Sequence, residues 1–176
     1  MIKTRIPKKP GIYTLIIKVI QPFRMKIGKL GCHNFPMGTY TYTGSAIGTK
    51  SSNLNLRLGR HLKPKKKKHW HIDYFLSSES VSIWGIVFLE TDSKLECKIA
   101  QKLFMINGCS ILVNGFGSSD CKMGCKAHLY HFNNTQEEVI LKIIEQYETF
   151  GIPKILQAEN VESVRTTITE KLYSKI

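Results

Sequence analysis

Over residues 39–61 the chain passes from alternating threonine and tyrosine to leucines at helical spacing, with Gly44 at the junction. Side chains alternate across a strand, so 39–43 reads as a β-strand with Tyr40 and Tyr42 on one face and Thr39, Thr41 and Thr43 on the other. Gly44 reads as a turn. Residues 45–52 form a polar connection, and Ser52 or Asn53 can cap a helix that carries Leu54, Leu58 and Leu62 along one side until Pro64 ends it. A strand feeding a helix in this way needs other strands beside it and a core beneath it.

The remaining sequence supplies both. Pro10 and Gly11 open a β-branched run over 12–19, long enough for a largely buried first strand. Residues 21–38, punctuated by Pro22, Gly28, Gly31, Pro36 and Gly38, read as an extended connection between two antiparallel partners, with a short extra strand at 25–27. Residues 81–89 form a third strand. Ser93 and Glu96 have the spacing of a capping box opening a helix to about residue 107, and 111–113 suits a short edge element. Val139, Ile140, Ile143, Ile144 and Tyr147 then recur at helical spacing, as do Val161, Val164, Ile168 and Leu172 beyond a hinge at 151–153. The expected organisation is an α/β (α+β) domain over 1–132 and a helical extension over 133–176, its two helices packing back on the domain, on a second copy of the chain or on a protein partner.

Charge separates these two parts. The chain carries 26 basic and 13 acidic residues, a net charge of +13. Of these, 21 basic and 6 acidic residues fall in 1–132, against 5 and 7 in 133–176, so the first part is the expected binder of a polyanion such as nucleic acid. Lys65, Lys66, Lys67 and Lys68 run into His69 and Trp70, close to Arg60. Lysines beside an aromatic platform suit phosphate tracking with base stacking, the alternative being a solvated loop. Nothing near the N-terminus supports a signal peptide, and Lys18 interrupts the longest apolar run, so a cytoplasmic protein without a membrane span is expected. An odd count of five cysteines then points to reduced thiols or metal ligands. Cys121, Cys125 and His128, with Cys97 or His131 as a fourth ligand, are a loose candidate for structural zinc.

Hydrolysis of a phosphodiester requires an aligned water, a base for its proton, and positive charge on the phosphoryl oxygens. Tyr13 and Tyr42 fall on neighbouring antiparallel strands, where directly opposed side chains approach to about 5 Å. Arg57 and His61, at i and i+4, project from one flank of their helix. On a helical wheel Glu96 falls within the apolar arc, between Leu103 and Ala100. An inward carboxylate must be paired, hydrogen-bonded or bound to a cation, unless Glu96 merely closes the capping box. Asn114 and Asp120 are candidates for the same cleft, while His69, His71 and Asp73 serve either that cleft or the packing around Trp70.

Together, Pro10-Gly11-Ile12-Tyr13, Tyr42-Thr43-Gly44, Asn53-Leu54 with Arg57, Arg60-His61 and the inward Glu96 resemble the GIY-YIG endonuclease superfamily. Thr43 stands where Ile or Val is usual, a β-branched exchange that suits a strand. The strings at 38–46, 69–74 and 116–121 further resemble a small stand-alone branch of that family. The resemblance covers about residues 10–132. It implies a small mixed sheet of three central strands flanked by helices, and a single Mg²⁺ or Mn²⁺ held by Glu96. Arg57 would neutralise the scissile phosphate, Tyr13 or Tyr42 would position or deprotonate the attacking water, and His61 would bind phosphate or share proton transfer. A phenol serving as base needs its pKa lowered, for which Arg57, Lys18 or the metal are candidates. The implied activity is metal-dependent endonucleolysis, on DNA in preference to RNA, including structure-selective cutting in repair or recombination. The alternative is a basic nucleic-acid-binding module of the same fold that does not cut. The interval 47–52 is longer than in the family motif and is the expected place for substrate choice.

Overall fold

The computed structural model describes residues 6–48 and 52–157. In chain order the elements are β1 (Gly11–Val19), β2 (Phe23–Lys26), β3 (Cys32–Phe35), β4 (Gly38–Ser45), α1 (Leu54–Leu62), α2 (His71–Phe75), β5 (Val81–Glu90), α3 (Glu96–Phe104), β6 (Cys109–Ser110), β7 (Leu129–Phe132), α4 (Gln136–Glu148) and β8 (Lys154–Gln157). Residues 49–51, within the interval expected to set substrate choice, and 161–172, the expected second C-terminal helix, lie outside the described residues.

Strands β6-β7-β4-β1-β5-β8 form one six-stranded sheet, and β2-β3 form a separate hairpin within the long connection from β1 to β4. Every strand pairing is antiparallel among the described residues. The fold is therefore α+β, but the expected mixed sheet of three strands is replaced by a wider antiparallel one. The three anticipated strands, β4-β1-β5, are its centre. Their outer edges present backbone groups that need partners, and β7 and β8 supply them. These are four-residue strands, too short to show a period of two clearly. In place of a helix directly after 151–153, β8 pairs with β5, and Lys154 forms an ion pair with Glu90.

The sheet separates two cores. Tyr13, Leu15, Ile17, Tyr40 and Tyr42 face α1, α2 and the hairpin, whereas Ile12, Ile16, Val87 and Phe132 face α3 and α4. The alternation read from 39–43 follows directly. Thr14 and Thr43 are opposed across β1 and β4, their hydroxyl oxygens 3.1 Å apart, and Tyr147 of α4 lies 2.8 Å from Thr14 Oγ1. Val139, Ile140, Ile143, Ile144 and Tyr147 are all buried, so α4 packs on the same sheet as the strands before it. No described helix is long and apolar enough to cross a membrane.

Candidate active site

At the end of the sheet where β1 begins and β4 ends, a cleft of about 610 Å³ is lined from both faces. One wall comes from β1, β4 and α1. Asn53 caps α1 by accepting a hydrogen bond from Leu56 N at 3.0 Å, and Leu54, Leu58 and His61 form its buried stripe at i, i+4 and i+7. His61 thus enters the protein from an apolar face. Its Nε2 lies 2.7 Å from Tyr13 Oη, and its ring centre lies 5.4 Å from that of Tyr13, 6.2 Å from Tyr42 and 6.5 Å from Trp70. Burial, reinforced by Lys66 and Arg57, lowers its pKa to about 3, so the imidazole is neutral at physiological pH. Its Nδ1 is buried and has no hydrogen-bond partner among the described residues.

Tyr13 is opposed to Gly44 and Tyr42 to Leu15, so the two tyrosines share a face but are offset by two residue positions instead of facing each other. Gly44 lies inside β4 and is not the turn expected there. It is required because a Cβ at that position would stand 2.5 Å from Tyr13 Cζ. Gly117 does the same for Tyr42: a Cβ would stand 2.8 Å from Tyr42 Cε2, and its φ of +72° itself favours glycine. Neither phenol is acidified. Burial raises both pKa values well above the ordinary range, and the Glu96 carboxylate adds to this, while Arg57 only partly opposes it. Lys18, a candidate for lowering them, is exposed at the far end of β1, paired with Thr39.

The second wall comes from the start of α3 and the loop before β7. Ile99, Ala100 and Leu103 are the buried stripe of α3, and Glu96 stands at its N-terminal end, facing the cleft with its side chain 30% exposed. The capping box with Ser93 is not formed, because the helix begins at Glu96 after Leu95, which makes no side-chain cap. Glu96 is paired instead with His128, Oε1 to Nδ1 at 3.2 Å, across the sheet end.

His128 also turns toward thiols. Ligand atoms of Cys97, Cys121, Cys125 and His128 all lie within 4.8 Å of one another, a group able to hold a metal ion. Of the two candidate fourth ligands Cys97 is therefore the one present. His131 sits elsewhere, packed on Tyr40 with its nitrogens near Met37 O and Ser110 Oγ. Although burial raises it, the Cys121 thiol is brought down to about 7 by the Cys125 amide, the Cys97 thiol and the Met123 amide.

The basic tract divides. Lys65, Lys67, Lys68 and His69 are exposed. Lys66 turns inward and donates to His61 O at 2.7 Å and to Arg60 O and Lys63 O at 3.3 Å, closing the C-terminal carbonyls of α1. Arg60 donates to Lys67 O and forms an ion pair with buried Asp73 at 2.7 Å. Burial works against the Asp73 carboxylate, but hydrogen bonds from Trp70 N, Arg60 and His69 N outweigh it and hold its pKa below the usual value. Trp70, half-buried at the cleft, carries Arg57 at 4.3 Å and Arg60 at 4.7 Å from its ring centre. His71 Nδ1 accepts from Gly117 N at 3.1 Å and so fixes the loop that supports Tyr42. Asp120 lines the cleft, whereas Asn114 is exposed outside it.

An antiparallel six-stranded sheet with helices on both faces and a two-walled polar cleft at one end is the class of protein these features define. The chain belongs to the family described as domain of unknown function DUF123, whose model matches residues 12–150. No curated protein and no solved structure matches it significantly.

Proposed function

We propose that the protein is a metal-dependent endonuclease that hydrolyses phosphodiester bonds in DNA. The observation that carries this reading is the convergence of Tyr13, Tyr42, Arg57, His61 and Glu96, drawn from β1, β4, α1 and α3, on one cleft. The exposed Lys65, Lys67, Lys68 and His69 directly precede Trp70 of the cleft lining and would serve as a track for the phosphate backbone.

Arg57, steadied by Trp70, would take the non-bridging oxygens of the scissile phosphate and stabilise the charge that develops there. Glu96 fits a hard divalent cation: it offers a partly exposed carboxylate at the cleft, and Mg²⁺ or Mn²⁺ commonly takes one or two carboxylates together with waters and substrate phosphate. Bound there, such an ion would supply Lewis acidity at the phosphoryl group. Tyr13 is a neutral phenol in the resting protein. As it accepts a proton from the attacking water, its own proton would pass to His61 Nε2, 2.7 Å away, so that no free phenolate need persist. Tyr42, against Gly117, would orient the same water.

One observation favours a second reading, a nucleic-acid-binding module that does not cut: burial raises the pKa of both tyrosines and works against a phenolate base. A cleavage panel decides. Wild-type protein with branched, flapped, single- and double-stranded DNA and RNA, with Mg²⁺ or Mn²⁺, should cut, and Arg57→Ala or Glu96→Ala should each lose about 10²–10³-fold in rate. Equal cleavage by wild type and both variants rejects the assigned site. Binding without cleavage of any substrate establishes the module.

A further inference from the structure

The thiols of the second wall are placed like the coordination shell of one ion. Around a single tetrahedral zinc, with bonds of about 2.3 Å to sulfur and about 2.0–2.1 Å to nitrogen, neighbouring ligand atoms stand roughly 3.5–3.8 Å apart. Cys97 Sγ lies 3.4 Å from Cys121 Sγ and 4.0 Å from His128 Nε2, and all four ligand atoms lie within 4.8 Å of one another. That spacing suits one ion. An iron–sulfur cluster would hold its thiolates farther apart.

Two further features belong to such a site. His128 presents Nε2 toward the thiols, and its Nδ1 lies 3.2 Å from Glu96 Oε1, a close charged contact that lacks hydrogen-bond alignment; a carboxylate beside the second nitrogen is the group that orients a ligating histidine once that bond forms. Residues 111–128 contain turns but no helix or strand, a long stretch for a compact domain. Coordination would tie that stretch to the first turn of α3.

We propose that Cys97, Cys121, Cys125 and His128 bind one thiophilic divalent ion, zinc by its donor set, and that Glu96 is the positioning carboxylate that orients His128 on it. Binding releases the thiol protons and involves no redox step. Glu96 then joins the two parts of the second wall, one carboxylate oxygen on His128 and the other free for the cleft. That link matters for cleavage only if the endonuclease reading holds; the metal site itself does not depend on it.

The test is made on the full chain without nucleic acid, so its outcome is separate from that of the cleavage panel. Protein purified under reducing conditions and free of chelator should contain one zinc per chain by elemental analysis. Replacement by Co²⁺ should give the intense visible bands of a tetrahedral site together with thiolate-to-cobalt charge transfer. Cys121→Ser and Cys125→Ser should lose the ion, whereas Cys32→Ser, at an exposed thiol outside the cluster, should keep it. Glu96→Gln should weaken zinc binding about 10–100-fold in competition with a chromogenic chelator. A wild-type chain with native circular dichroism but neither zinc nor cobalt–thiolate bands overturns the site, as does a Cys97–Cys121 disulfide in its place. Unchanged zinc affinity in Glu96→Gln removes Glu96 from it.

Discussion

The wall built from β1, β4 and α1 and the wall built from α3 and residues 111–128 enclose the same space with different means of support. In the first, Tyr13 and Tyr42 lie against glycines and His61 is seated by the buried stripe of α1, so side-chain positions follow from close packing. In the second, Glu96, Cys97, Cys121 and Cys125 are only half-buried, and a turn-rich loop must be held in place by cross-contacts. The first wall therefore behaves as part of the core. The second depends on its polar groups finding one another.

This contrast is open to direct tests. The largest effect should come from metal removal: if the second wall is tied by an ion, a chelator should cost about 4 kcal/mol when the free ion stands near a thousand times its dissociation constant. Limited proteolysis should then cut first within 111–128 and spare α1, and cleavage beginning in α1 would break the comparison. Gly44→Ala should leave metal content unchanged while destabilising the chain by about 1–3 kcal/mol, because the new methyl meets the Tyr13 ring inside the sheet. Urea unfolding measures this loss.

A more gradual effect should follow acidification. The folded pKa of His61 is lowered from 6.5 to about 3, so the unfolded chain takes up the proton first. Its contribution to stability is complete above about pH 6.5 and is lost as pH falls toward 3, with a limiting slope of about 1.4 kcal/mol per pH unit. His61→Asn should flatten that part of the stability profile, and an unchanged slope would show that the imidazole is not seated in the first wall as described. The smallest change is expected in the basic tract. Lys67→Ala should reduce the salt dependence of nucleic-acid binding by about one contact with no loss of stability. Lys66→Ala should lower the thermal midpoint instead, because its ammonium closes α1.

Much of the first wall was legible in the sequence because its signals are local. Alternation placed Tyr40 and Tyr42 on one face, and helical spacing placed Leu54 and Leu58 on one side of α1, although Leu62, expected with them, is exposed and His61 takes the inward place. The wheel also put Glu96 in line with the buried stripe of α3. It could not say what the carboxylate would meet, since His128 lies 32 positions away across a loop without periodicity. The lysine run misled for a related reason. Composition treats Lys65 to Lys68 alike, but the turn after Pro64 sends Lys66 back onto the helix end.

By itself the sequence determined the strands and helices of the central layer, the unequal charge of its two parts and the residues available for chemistry, because periods of two and 3.6 are written into neighbouring positions. Only the tertiary structure decided that Tyr13 lies over Gly44 and not opposite Tyr42, that four-residue strands close both sides of the sheet, and that Cys97 rather than His131 completes the thiol group. Register, edge pairing and loop closure join residues tens of positions apart, and their outcome rests on which distant surfaces fit together.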